Sequence, residues 1–196
     1  DQLQCIDNDE RGGPGLDDSY RLTTDLNAVG TAVWNDGEGF APIGESNRDG
    51  EFDGTLDGDN HTITGLGIAM EFTNDIGLFG VTGSNAEIED LSLRDVDIAG
   101  DSDVGGLVGE NNGEVTNVSV SGSVTGNDDV GGIIGYNEGT ITQSNASATV
   151  TGSGDSVGGL VGNNDGDIRR SYATGNVSVS DRGFNVGMGG LIGENN

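Results

Sequence analysis

The sequence predicts an all-β fold in which the chain winds into a solenoid of stacked coils. A glycine-rich phrase recurs four times, and the spacings between its glycine pairs are 26, 27 and 31 residues. The pairs begin at Gly105, Gly131, Gly158 and Gly189. Periods of this length are typical of solenoids, whereas propeller blades need about 40 residues or more. Within a period, apolar and polar residues alternate as they do in a β-strand, for example Val118 and Val120 with Ser119 and Ser121.

Aligning the four copies places apolar residues in three columns, which would stack on one another if each period were one coil. The columns are Leu93, Val120, Ala146 and Ala173; Ile98, Val124, Val150 and Val177; and Leu107, Ile133, Leu160 and Leu191. We expect these side chains to face inward and the intervening polar ones to face outward. Because stacking buries both faces of a coil, each copy should be stable only beside its neighbours.

The corners of such a coil account for the glycines. A corner needs either a left-handed φ or a close backbone approach, and glycine allows both without steric cost. Asparagine and aspartate also tolerate the left-handed region. We therefore expect the segments ENNG (110–113), YNEG (136–139) and NNDG (163–166) to turn in that conformation. The insertion SDRGFN at 180–185 is expected to form a loop.

The chain is predicted to be one continuous domain in two parts. Residues 86–196 hold the four regular repeats, and residues 1–85 form less regular coils with an N-terminal cap. The segment 1–9 allows a short helix, with Asp1 as its N-cap and Leu3 and Ile6 on one face. Cys5 is the single cysteine, so no internal disulfide can form.

Charge is the second dominant feature of the sequence. The 34 acidic residues stand against seven arginines and no lysine, which gives a formal net charge of −27. The acids are spread along the chain, with 15 in residues 1–60 and 19 beyond. At molar salt the Debye length is about 3 Å, so the self-repulsion of such a surface largely disappears. The composition resembles that of haloarchaeal proteins and predicts adaptation to high salt, with ordinary acidic solubility as the alternative. Nucleic acid and anionic membranes are poor partners for it.

The glycine phrases carry a family resemblance. VGGLVG (104–109), VGGIIG (130–135), VGGLVG (157–162) and MGGLIG (188–193) resemble the GLUG repeat, and the upstream segments 20–26, 39–44, 52–68 and 76–80 are similar to the lead-in before such repeats. The resemblance implies a right-handed parallel β-helix with a short N-terminal capping helix. It also implies a secreted or cell-surface protein, such as an adhesin or the non-catalytic region of immunoglobulin A peptidases. Those peptidases use an HExxH zinc helix, which a chain with one histidine, His61, cannot contain.

No catalytic or metal-binding set of residues stands out from the sequence. Some parallel β-helices are polysaccharide lyases or hydrolases, so a polysaccharide-active enzyme is kept as an alternative. A carboxylate cluster in a groove along the coils would favour it, whereas the adjacent Arg169 and Arg170 are expected to be solvated. The acidic corners GDSDVGG (100–106) and GNDDVGG (126–132) are candidates for calcium. Because the later copies lose this pattern, no cofactor is expected.

Two sets of polar residues are candidate surface sites. The asparagines of Asn-x-Ser/Thr sequons, which are candidates for glycosylation, are Asn60, Asn117, Asn145 and Asn176. The outward columns form a candidate polar face, made of Ser119, Asn145 and Tyr172; Ser121, Ser147 and Thr174; and Thr125, Thr151 and Ser178. Such a face suits carbohydrate or ice, or is polar for solubility alone.

These features predict a non-enzymatic, extracellular surface module of a halophile that serves in adhesion or as a structural arm. Its partners would be cell-surface or extracellular proteins or glycans. No apolar run reaches the ~20 residues of a membrane helix, and a start at Asp1 suggests a processed form. Because the last repeat ends at GENN without a cap, we expect either that more chain once followed or that another molecule covers this end, and head-to-tail self-association into a fibre is the alternative function in the second case.

Overall fold

The protein is a parallel β-solenoid of about five turns, described here from a computed structural model. The structure describes Leu3, Ile6 and residues 15–45, 50–180 and 187–196. Every strand-to-strand ladder among these residues is parallel, and they contain no α-helix. The all-β, stacked-coil fold predicted from the repeat period is confirmed.

The strands are short, and most coils contain four or five of them. In chain order they begin with β1 (Ser19–Arg21), β2 (Leu26–Asn27), β3 (Thr55–Asp57), β4 (Thr62–Thr64), β5 (Gly67–Ala69), β6 (Phe79–Thr82), β7 (Glu87–Glu89) and β8 (Ser92–Ala99). They continue with β9 (Ser102–Gly105), β10 (Val108–Asn111), β11 (Glu114–Thr116), β12 (Ser119–Thr125), β13 (Asp128–Gly131), β14 (Ile134–Asn137), β15 (Thr140–Thr142) and β16 (Asn145–Ala146). The last are β17 (Thr149–Gly152), β18 (Val157–Gly158), β19 (Val161–Asn164), β20 (Asp167–Arg169), β21 (Tyr172–Ala173), β22 (Val177–Val179), β23 (Met188–Gly189) and β24 (Ile192–Asn195). Two 3₁₀ segments span Val29–Val33 and Asn35–Gly37.

Four sheets run along the solenoid, and each regular coil gives strands to all of them in turn. The first sheet has the order β1-β3-β7-β11-β15-β20. The second follows β2-β4-β8-β12-β16-β21, joined by β5, β17 and β22. The third is β9-β13-β18-β23, and the fourth is β6-β10-β14-β19-β24. Successive strands of a sheet come from successive coils, so a residue lies beside its counterpart one period away.

The three predicted apolar columns are confirmed as the core of the repeats. Leu93, Val120, Ala146 and Ala173 are direct partners across the second sheet, and so are Ile98, Val124, Val150 and Val177. In the third column, Leu107, Ile133 and Leu160 each donate the backbone N–H to the carbonyl of the next member. The first three members of each column are fully buried, whereas Leu191, in the last of the coils, is 37% exposed.

Buried asparagines form a ladder along the fourth sheet. The amide of Asn111 donates to Oδ1 of Asn137 at 2.8 Å, Asn137 donates to Asn164 at 2.8 Å, and Asn164 donates to Asn195 at 2.9 Å. The hydroxyl of Thr82 starts the ladder by donating to Oδ1 of Asn111 at 2.8 Å. Each of the first three asparagines also donates to the carbonyl of the glycine two residues later. The ladder therefore pairs the polar side chains that the turns bring into the core.

The expected left-handed conformation of the ENNG-type segments was wrong. None of their asparagines has a positive φ, because they extend the strands of the fourth sheet and hold the ladder. Other residues take the left-handed conformation, and nine of the thirteen non-glycine examples among the described residues lie in two columns. These are Asp75, Asp103, Asp129 and Ser156, and Asn60, Asp90, Asn117, Gln143 and Arg170.

The repeated glycine pairs also lack a positive φ; what they provide is close backbone approach. A Cβ on Gly131 would lie 2.0 Å from the carbonyl oxygen of Ile134 and 2.7 Å from the backbone nitrogen of Gly162. A Cβ on Gly132 would lie 2.3 Å from the carbonyl oxygen of Gly159 in the next coil. The pairs therefore keep the coils narrow, which is one of the two roles that the sequence left open.

The N-terminal part has a wider, more aromatic core. Phe52 and Phe79 are fully buried, with ring centroids 4.7 Å apart, and Tyr20 packs on Phe52. Ile6 is buried against the core cluster and donates its N–H to the carbonyl of Leu3. The rest of the predicted helix over 1–9, including Cys5, lies outside the described residues, as does most of the loop expected at 180–185.

Replacing Asn137 tests how much the ladder contributes. Asn137→Ala removes the acceptor of Asn111 and the donor to Asn164, and both partners stay buried, so we expect the free energy of unfolding to fall by about 1–3 kcal/mol. Chemical denaturation at one fixed salt concentration measures it. The control is Asn176→Ala at an exposed position; equal losses in the two variants would contradict a structural ladder.

Candidate carboxylate-free face and acidic corners

Over three successive coils, one side of the solenoid lacks carboxylates. The segments 115–126, 139–154 and 168–180 contain no Asp or Glu, although at the average frequency of 34 in 196 their 41 residues would hold about seven. They correspond to β12, β16–β17 and β21–β22 of the second sheet, together with the preceding corners. The gaps in three successive periods therefore lie on top of one another.

The outward side chains of this strip form what we call the neutral face. It has four columns in three coils, which are Ser119, Asn145 and Tyr172; Ser121, Ser147 and Thr174; Ser123, Thr149 and Asn176; and Thr125, Thr151 and Ser178. Strand spacing repeats each column about every 4.8 Å along the solenoid. Exposure rises toward the last coil, where Tyr172 is 57% exposed. The predicted polar face is thus assembled on one surface.

A corner with two arginines borders the neutral face. Arg169 donates to Asp167 at 2.9 Å. Arg170 is exposed, has a left-handed φ of 53°, and makes no ion pair with any described residue. Directly behind it in the same column lie Gln143 and Asn117, so the corner carries no carboxylate over three coils. The preceding residue of that column is Asp90, and its carboxylate accepts a hydrogen bond from the side-chain amide of Asn117.

The opposite edge of the first sheet is an acidic groove. It encloses about 770 Å³ between the turns of four coils, and its lining includes Glu87, Glu114, Glu138, Asp165 and Asp167. The hydroxyl of Tyr136 bridges Glu138 and Asp165 at 3.0 and 2.8 Å, and its hydrogen bond to Asp165 is the main reason that its pKa is raised. A carboxylate cluster in a groove, the feature that would favour an enzyme, is therefore present.

A second acidic corner lies where the third and fourth sheets meet. Burial raises the pKa of Asp103 to about 7, and the carboxylates of Asp129, Asp75, Glu110 and Asp128 add to the shift. Burial also raises the pKa of Asp129, although hydrogen bonds with Ser156 and Asn163 oppose this. Neither aspartate lines the acidic groove, so the two acidic sites are separate.

The remaining candidates are dispersed. Asn60, Asn117 and Asn176 are exposed, and Asn145 is half-buried within the neutral face. His61 contacts Asp25 at 3.2 Å in a surface turn. Within the described ranges, no three His, Cys, Asp or Glu side chains are grouped so that they could hold a metal ion, and no helix there is long and apolar enough to span a bilayer.

Sequence reasoning found the polar columns but missed the carboxylate-free strip and the asparagine ladder. The strip was detectable as three acid-free segments with the period of the repeat. The ladder had a weaker signal, one asparagine per period at positions 111, 137, 164 and 195, which was attributed to turns.

The stacked coils, with one asparagine and one glycine pair in each, define a repetitive β-solenoid protein. Residues 100–125, 126–151 and 153–178 each match the GLUG motif. The chain therefore contains GLUG repeats, as its glycine phrases predicted.

Two curated relatives match part of the chain. It is 41% identical over 126 residues, or 63% of its length, to halomucin of Haloquadratum walsbyi, a haloarchaeon. It is 42% identical over 88 residues, or 43% of its length, to a putative Gly-rich membrane protein of Evansella cellulosilytica. The matches span only 1% and 10% of these relatives' own lengths. No solved structure matches the chain significantly.

Asp103 should make stability depend on pH. Its folded-state pKa of about 7 lies above the ordinary 3.8, so its contribution to stability is fully present below pH 3.8 and is lost as pH rises through 7. Asp103→Asn keeps a residue that tolerates the left-handed φ but removes the charge. We expect it to raise the melting temperature at pH 8 by several degrees and to change it little at pH 4.

The control for this prediction is Asp155→Asn, which removes one negative charge at an exposed position. Thermal unfolding of both variants at pH 4 and pH 8, at constant salt, makes the comparison. If the control gains as much stability at pH 8 as Asp103→Asn, the effect belongs to net charge and not to the buried corner.

Proposed function

We propose that the protein is a non-enzymatic surface module of a halophile, a stiff arm that works outside the cell in concentrated salt. The observation that carries the proposal is the placement of its charge. No described Asp or Glu is fully buried, and the described ion pairs involve only Arg21, His61 and Arg169. The surface therefore carries uncompensated negative charge that only a screening medium makes tolerable.

The relatives support this proposal. One is a halomucin of a haloarchaeon, and the other has a name that refers to a membrane protein. Neither name describes an enzyme. A solenoid suits a structural role because each coil is held to its neighbours by backbone ladders and by the asparagine ladder, so the module is stiff without a disulfide.

Adhesion is the finer version of the proposed function. A module that extends from a surface presents long side faces, and the neutral face is the one on which a partner meets no carboxylate. The polysaccharide-active enzyme is the weaker proposal because neither relative's name describes an enzyme, although the acidic groove supplies a carboxylate cluster.

Self-association into a fibre is a second candidate, and one observation favours it. The coil formed by β20–β24 presents Leu191 and Met188 at 37% and 58% exposure, and the side chain of Asn195 ends the ladder. At the other end, however, Ile6 is buried over the core, and Phe52 occupies the ladder column beside Thr82. The two ends are therefore not complementary in that column.

Salt dependence tests the proposed function. We expect the melting temperature to rise steeply between 0.1 M and about 3 M KCl, because salt screens the repulsion among surface carboxylates. The charge-reduced variant Glu87→Gln/Glu114→Gln/Asp167→Asn, altered only in exposed groove residues, should show a shallower rise. A flat profile for the wild type, or equal slopes for both proteins, would contradict adaptation through surface charge. Antibody labelling of intact cells of the producing strain tests the location, and signal only after lysis would contradict it.

Light scattering and negative-stain microscopy across protein concentration, in about 3 M KCl, separate the arm from the fibre. Because the two ends differ, we expect monomers at all concentrations. Filaments that lengthen with concentration would instead establish the fibre subunit.

A further inference from the structure

We propose that the neutral face, with Arg170 and Tyr172 at its edge, binds an extended acidic polysaccharide, a chain of sugars that carry carboxylates. The hydroxyl and amide columns would hydrogen-bond sugar hydroxyls, the ring of Tyr172 would stack on a sugar ring, and Arg170 would pair with a sugar carboxylate. The inference deepens the adhesive version of the proposed function by naming its partner. It does not depend on the salt response of stability.

The absence of charge on this face is not a requirement of the fold. The preceding coil provides an internal comparison, because Ser123 of β12 pairs in register with Asp97 of β8, on the same outward surface. Asp95 and Arg94 are exposed on that strand as well. The second sheet therefore accepts charged residues at these positions, and their loss over three successive coils of a −27 chain calls for another reason.

The residue types at the left-handed corner beside the neutral face suggest that their side chains have a function. In the left-handed column, Asn60, Asp90 and Asn117 are types that tolerate a positive φ, whereas Gln143 (53°) and Arg170 (53°) are less suited to it. Residues held in such conformations are found preferentially where function requires them. Gln143 and Arg170 lie two residues before Asn145 and Tyr172 of the neutral face, so an amide and a guanidinium without a described ion pair precede the face in two successive coils.

The chemistry of the face favours a hydrated ligand over a protein. Tyr172 is the single large apolar side chain on it, and the other strongly exposed ones of the described residues, Val29, Val33, Phe72, Met188 and Leu191, lie elsewhere. Protein interfaces usually bury a larger apolar core. Serine, threonine and asparagine side chains repeated about every 4.8 Å instead offer a regular row of donors and acceptors to a polymer of sugars.

Charge selects the acidic form of such a polymer. An anion that approached the acidic groove or the corner around Asp103 would meet carboxylates, whereas here it meets neutral groups and the guanidinium of Arg170, which has no ion pair among the described residues. At molar salt the long-range repulsion of the rest of the surface is screened to about 3 Å, so contacts within the face decide binding. A guanidinium suits this because it can donate two parallel hydrogen bonds to a carboxylate.

Calorimetric titration of the full chain with a galacturonate oligosaccharide, in 2 M KCl at pH 7, tests the proposal, with a dextran oligosaccharide of equal length as the neutral probe. We expect binding to the galacturonate oligomer and binding to dextran that is at least tenfold weaker. Arg170→Asn should weaken galacturonate binding about tenfold, equivalent to about 1.4 kcal/mol, because it removes the charge-assisted hydrogen bonds to the sugar carboxylate. Tyr172→Ala should weaken binding to a similar extent.

Three controls keep the test specific. Arg94→Asn removes an exposed arginine outside the face, and Phe72→Ala removes an exposed aromatic ring; neither should change binding. Thr149→Asp places a carboxylate in the centre of the face, as Asp97 does in the earlier coil, and should abolish binding while the melting temperature stays within a few degrees of the wild type.

The opposing outcomes are distinct. No binding of either oligosaccharide by a protein with an intact, salt-stabilised melting transition would overturn this inference and leave the structural role standing. Equal binding of both probes would overturn the assignment to Arg170. Lateral dimers of the wild type, lost in Thr149→Asp, would show that the face binds a second copy instead.

Discussion

Register between successive coils is the constraint on which the rest of this structure depends. The inward side chains are small, so a single coil encloses little apolar surface, and its edges expose backbone groups on both sides. Stacking pairs those groups and places each Val, Ile, Leu or Ala on its counterpart. The glycine pairs permit the close backbone approach that keeps the coils narrow. The asparagine ladder disfavours a shifted register, because an amide that misses its partner in the next coil is left buried without a hydrogen bond.

The same register sorts the charges of the molecule. In a stacked coil, a residue type that recurs at one position of the period becomes a continuous stripe on the surface. Carboxylates at turns thus converge into the acidic groove and into the corner around Asp103, whereas hydroxyls and amides on β12, β16–β17 and β21–β22 converge into the neutral face. A net charge that is evenly distributed along the sequence is consequently uneven in space, and the two edges of one coil offer opposite environments to a partner.

Most of the repeat core was predictable because its signal is periodic and redundant. The columns through Val120, Val124 and Ile133 follow from aligning four copies, and each member supports the others. What each polar residue does was harder to predict. Asn137 lies in a turn-like YNEG segment, and only the register between coils shows that its side chain points inward to Asn164. The left-handed corners were also hard to predict, because residues as different as Asp103, Gln143 and Arg170 occupy them. The site was half predictable, since the polar columns are visible in the sequence but the missing carboxylates become a surface only when three periods are superimposed.

The ladder also has a direction. From the hydroxyl of Thr82 onward, every amide donates toward the C-terminal neighbour, and each asparagine accepts from the coil before it. One whole period is therefore an interchangeable unit: a coil duplicated or deleted in the gene joins its new neighbours with the same donor and the same acceptor. The number of coils can therefore change during evolution without any change in the coils at the two ends.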